Sequence, residues 1–311
     1  MREMSLNCVY ELAKKDPRVV FIGSDLGPGT LSQMQKEMPE RFFMEGVSEA
    51  HIIGMAAGLA KEGYIPYVNT IATFLTRRCF EQVAIDLCLH NLPVRLIANG
   101  GGVVYAPLGP THLATEDIAI LRSLPNMSIV AVTDADEMRR FMDKSLDHPG
   151  PLYIRLGKGS EPIISDTNHP FEIGKAIVMR EPGDVLLIST GIMAHAALQA
   201  AEALTQSGIN CGVLNMHTVK PLDEEAILHY AKRVKLLVTL EEHTLIGGLG
   251  SAVIETLVDK AFSSMPPVLR MGLPDRFTEE YGSQESMLEN FGLGAESIVK
   301  SVKTKLNECV A

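Results

Sequence analysis

The chain has 311 residues, 46% of them hydrophobic and 21% charged, with a formal net charge of −10. Its length suffices for two ordinary cores, and its composition is that of a folded rather than a disordered chain. The negative balance argues against a nucleic-acid partner, which needs a basic footprint.

The opening segment MREMSLNCVYELAKKD is charged throughout, unlike a secretory signal. No run approaches the roughly 18 apolar residues of a membrane span. The cysteines (Cys8, Cys79, Cys88, Cys211, Cys309) are scattered without a CxxC pair. Reduced thiols, no metal ligands and a cytoplasmic location are expected.

In chain order, RVVFIG, IPYVNT, VRLIAN, SIVAV and LYIRL read as strands, followed by DVLLIST, CGVLNM, KLLVTL and PVLRM. Runs this short and apolar, separated by helix-length segments, predict parallel strands buried on both faces. An α/β fold of two domains follows, each a mainly parallel sheet covered by helices. The Gly-, Pro- and Asn-rich stretch 155–176 separates them, giving domains 1–165 and 176–311.

Between the first strands lies FMEGVSEAHIIGMAAGLA, residues 43–60. Ser48 has the chemistry of an N-cap and Glu49 suits the first helical turn. Yet the apolar residues after Glu49 wrap most of the helix. A carboxylate opening a buried helix is costly without a partner, so a helix-start acid and a chemical acid both stand as readings. Phe74 and Arg77 lie one helical turn apart, facing one pocket or else serving as core and surface. His112 sits in the Gly- and Pro-rich loop VVYAPLGPTHLATED, a setting suited to binding. EEHTLIGGLGSAV, residues 241–253, superficially suggests a phosphate loop, but its spacing fits a close-packed strand-to-helix turn better.

Taken together, GSDLGPG, GVSEAHIIGMAAGLA, YVNTIATFLTRRCFEQVAID and LGPTHLATEDIAILRSLPNM resemble the C-terminal half of the transketolase family of thiamine diphosphate enzymes. The resemblance spans the whole chain, as a pyrimidine-binding domain followed by a transketolase C-terminal domain. It implies that Glu49 hydrogen-bonds the cofactor's aminopyrimidine and drives the proton transfer that activates it. By the same resemblance Phe74 stacks on that ring, Arg77 lies near cofactor and substrate, and Asp25 lies at the cofactor's edge. His112 is implied to reach the sugar and act in catalysis. Arg2 and either Arg155 or Lys158 are implied to bind substrate phosphate.

The departures are Leu108, Gly100 and Gly29, each where the family carries a polar substrate contact, which implies a modified or differently shaped ketose. The family's Gly-Asp-Gly segment for Mg²⁺ and diphosphate is not found. The resemblance therefore implies one half of a split transketolase, with the metal ligands on an N-terminal diphosphate-binding partner. A heterotetramer is expected, with self-association through the C-terminal half. The alternatives are a 2-oxo acid dehydrogenase β subunit, an enzyme like deoxyxylulose-phosphate synthase, or a non-catalytic assembly subunit.

Overall fold

The computed structural model describes residues 1–24, 29–260 and 265–310. Its strands are β1 (Val19–Gly23), β2 (Phe42–Met44), β3 (Ile65–Ile71), β4 (Arg95–Asn99), β5 (Ser128–Ala131), β6 (Leu152–Leu156), β7 (Ile177–Arg180), β8 (Val185–Ser189), β9 (Cys211–Asn215), β10 (Thr218–Lys220), β11 (Leu236–Thr244) and β12 (Val268–Leu273). They form two sheets, ordered β10-β5-β6-β4-β3-β1-β2 and β12-β11-β8-β9-β7. Pairing is parallel throughout, except that β10 and β7 join their edges antiparallel.

The expected α/β architecture is thus present. Strands β1, β3, β4, β5 and β6 are buried along their whole length, which is why they read as unbroken apolar runs. Helices Arg2–Lys15 and Ala135–Ser145 cover one face of the first sheet, and Glu49–Lys61 covers the other. In the second half, the helix Met193–Gln206 stops before Gly208, whose φ of +85° suits glycine.

The halves interlock in two ways. Strand β10, from the second half, extends the first sheet, and the Lys220 ammonium donates to the carbonyls of Arg122 and Leu124. Conversely, Val103, Ala106 and Leu113 from the first half pack into the core around β8 and β11.

Strand β1 lies between β2 and β3, so the chain leaves it to one side and returns on the other. Such a reversal opens a crevice at the carboxyl ends of parallel strands, the usual place for a ligand in open α/β sheets. Its floor is polar and buried. Ser24 Oγ donates to Thr70 Oγ1 at 2.8 Å, and Asn99 Nδ2 donates to Asn69 Oδ1 at 2.8 Å.

Candidate active site

The segment after β2 is stitched to the end of β1, with the Glu45 and Gly46 amides donating to the Gly23 and Ser24 carbonyls. Gly46 takes a φ of +68° to make this turn. The helix Glu49–Lys61 starts three residues later, over the crevice. Ser48 takes the N-cap place, but its hydroxyl donates to the Glu45 carbonyl at 2.8 Å instead of capping the helix.

Glu49 is 1% exposed, so the helix-start acid is also a buried one. Its partner is Arg78, whose Nη1 donates to Oε2 at 2.6 Å. The same guanidinium lies over the Phe74 ring, 4.2 Å from its centroid, within range of a cation–π attraction. Phe74 in turn meets His112 edge-on, with ring centroids 5.3 Å apart. Glu49, Phe74 and His112, scattered along the sequence, thus form one contiguous group. His112 Nδ1 also bonds the Thr111 hydroxyl at 2.9 Å.

Arg78 was not singled out from the sequence. The one available signal was the doublet Arg77-Arg78 in a turn, which leaves open which guanidinium faces inward. Arg77 faces the His112 loop instead. It pairs with Glu116, with Nη2 to Oε2 at 2.7 Å, and donates to the Pro110 carbonyl at 3.1 Å. It braces that loop in this structure.

The substrate candidates separate by burial. Arg155 is 5% exposed. Its Nε donates to Asp117 at 2.8 Å and its Nη2 to the Glu242 carbonyl at 2.8 Å, while Tyr153 shares the Asp117 carboxylate. Of the two alternatives for a phosphate-binding base, Arg155 is thus engaged inside the protein, where its guanidinium ties the two halves together. Lys158 is exposed, as is Arg2 at the start of its helix. Their segments meet at Glu161, which accepts from the Met1 ammonium at 3.2 Å and the Gly159 amide at 2.6 Å. Asp25 lies outside the described residues.

One departure acquires a physical reason. Gly100 has a φ of +75°, and a Cβ there would lie 2.2 Å from the Tyr105 ring. Tyr105 thus fills the space a larger residue would need. Leu108 is 52% exposed at the tip of the same loop. Beside Gly29, by contrast, the space is open.

The GGLG segment holds no anion site. The Glu241 carboxylate already accepts from the Leu249 and Gly250 amides, at 2.7 and 2.9 Å, so this helix N-terminus is satisfied from within the chain. Next to it, Glu242 accepts from the Val103 amide and from Gln284, both at 2.9 Å, fixing the start of the His112 loop to the second half. Burial pushes both carboxyls up to about 7. Among the described residues no cluster of His, Cys, Asp and Glu could hold a metal ion, and no helix is long and apolar enough to cross a membrane.

Comparison with known proteins decides what this group of residues belongs to. The transketolase pyrimidine-binding domain model matches residues 1–162, and the transketolase C-terminal domain model matches residues 174–298. The chain belongs to the transketolase family. It is 38% identical over 302 residues to the 6-deoxy-6-sulfo-D-fructose transketolase subunit SqwH of Clostridium sp. (strain MSTE9), covering 97% of this chain and 92% of that one. It is 39% identical to the 1-deoxy-D-xylulose-5-phosphate synthase of Synechococcus sp. (strain JA-2-3B'a(2-13)), but spans only 46% of that protein. Among solved structures, a split-gene transketolase described as an inactive β4 tetramer superposes with a TM-score of 0.88 at 36% identity. That match covers 98% of this chain and 97% of the other. The transketolase of Pichia stipitis shares the fold, with a TM-score of 0.79 at 18% identity over 45% of its length.

Proposed function

We propose that this transketolase-family chain is the pyrimidine-binding subunit of a two-chain enzyme. The enzyme moves a two-carbon ketol unit from an anionic ketose to an aldose with thiamine diphosphate. The observation that carries this reading is the buried Glu49 carboxylate at the crevice, grouped with Phe74 and His112. The near end-to-end match to a transketolase subunit and to a split-gene transketolase supports the two-chain form.

The residues present fit the cofactor's pyrimidine end. A planar group with N–H donors, the Arg78 guanidinium, already sits on both Glu49 and Phe74, so the place accepts that shape and polarity. Glu49 would hold the ring's edge through a carboxyl oxygen and move its proton there, and Phe74 would fix the ring's plane. When bound, thiamine diphosphate supplies a nucleophilic carbon and an electron sink for breaking the carbon–carbon bond. His112, on its braced loop, would donate to a substrate oxygen. Arg2 and Lys158 supply exposed cations for the substrate's anionic end. Mg²⁺ and the diphosphate are assigned to the partner chain. The exposed Val47, Phe80, Ile85 and Leu89 on the elements around Glu49 offer that chain apolar surface.

Replacing Glu49 by Gln in the reconstituted pair tests the reading. General acid–base steps contribute about 10²–10⁴-fold, so kcat should fall by roughly that factor, with assembly unchanged by sedimentation. Unchanged turnover would favour an assembly subunit without chemistry. A donor screen with pyruvate beside phosphorylated and sulfonated ketoses separates ketol transfer from deoxyxylulose-phosphate synthesis.

A further inference from the structure

We infer that Arg78 holds the place of the ligand's aminopyrimidine in the free chain, so that its guanidinium must leave Glu49 and Phe74 before thiamine diphosphate binds. The inference rests on the functional reading above. Two contacts define the ligand's place, an edge-on hydrogen bond to a carboxylate and a ring face. Arg78 makes both, with Nη1 2.6 Å from Glu49 Oε2 and its carbon 4.2 Å from the Phe74 centroid. A guanidinium is planar, carries its N–H donors on its edge and stacks through its face, as an aminopyrimidine does.

Exposure shows which partner yields. The Glu49 side chain is 1% exposed, whereas that of Arg78 is 45% exposed. A ligand therefore reaches the carboxylate only after something covering it moves, and Arg78 is the half of the pair with solvent to move into. It stands in the turn at residues 77–79 between two short helices, so its side chain can swing into solvent without unwinding an element. Arg77, beside it, has Glu116 as its own counter-ion and does not compete for Glu49.

The arrangement answers a physical problem of a chain that makes only part of a site. A buried carboxylate stripped of its partner is costly. Arg78 satisfies Glu49 until the cofactor arrives, and the ligand then takes over both contacts. The cost of this substitution is a lowered apparent affinity, because only the fraction of molecules with Arg78 swung out is competent to bind.

Arg78→Met keeps the length of the stem and removes the planar charge. Thiamine diphosphate affinity is measured by titration calorimetry on the complex with the diphosphate-binding chain, for wild type, Arg78→Met and Arg78→Lys. With Arg78 swung out in one-tenth to one-third of molecules, the Met variant should bind about three- to tenfold tighter. Its thermal midpoint should be lower without cofactor and rise further on adding it than wild type does. Lysine pairs with a carboxylate but cannot stack as a plane, so Arg78→Lys should also bind tighter and serves if the Met variant does not fold. Unchanged or weaker binding in the folded variants, with wild type binding normally, overturns the inference alone. Absence of binding by the wild-type complex overturns the functional reading and the inference with it.

Discussion

Arg155 and Lys158 lie on one short segment, yet burial gives them opposite work. Arg155 is enclosed with Asp117, Tyr153 and the Glu242 carbonyl, while Lys158 stands in solvent. Removing one member of such a pair strands the other charge in the interior, at a cost of about 3–5 kcal/mol. Arg155→Met should therefore lower the unfolding free energy from urea titration by that amount, whereas Lys158→Met should leave it unchanged and raise the KM for an anionic donor. A rise in KM with intact stability for Arg155→Met would mark it as a substrate residue. Spacing alone could not separate these two, because both are basic and both follow the same strand. Glu49, by contrast, was legible, since a charged residue among apolar helix positions is conspicuous. Its partner Arg78 was not, because no sequence pattern tells which residue of a doublet turns inward.

The central strands were legible for a simple reason. Being covered on both faces, they consist of apolar runs that need no periodicity to stand out. The three that were not anticipated, β2, β7 and β10, are edge strands of three or four residues. Segments of three or four residues are too short to stand out as strands, even where, as in β2 and β7, they are largely apolar. Missing β10 concealed how the halves join, and missing the Glu242 contact concealed what holds the His112 loop. The burial of Glu242 has a pH signature. Glu242 has its carboxyl raised from 4.5 to about 7 by burial, so the folded state favours the protonated form. The associated stability is fully present below pH 4.5 and is lost as pH rises through about 7. The unfolding free energy from urea titration should fall across that window, and Glu242→Gln should flatten the fall by about 1–3 kcal/mol at its upper end. An unchanged slope would mean that Glu242 stays ionised across the window.

At the scale of the whole molecule, the second half is more than an appended domain. It lends a strand to the first sheet, encloses Val103 and Leu113, and anchors the loop on which His112 rides. What the described residues do not form is a metal site, and the chain matches, nearly end to end, a transketolase subunit and a split-gene transketolase. The central claim is that Glu49 acts on a cofactor this chain does not hold by itself. The most direct measurement is ketol transfer by the chain alone and by the chain mixed with its diphosphate-binding partner, with thiamine diphosphate and Mg²⁺ in both. No turnover alone and turnover that saturates at equal amounts of the two chains is the predicted result. Full turnover from the isolated chain, or none from the pair with any ketose donor, would contradict it.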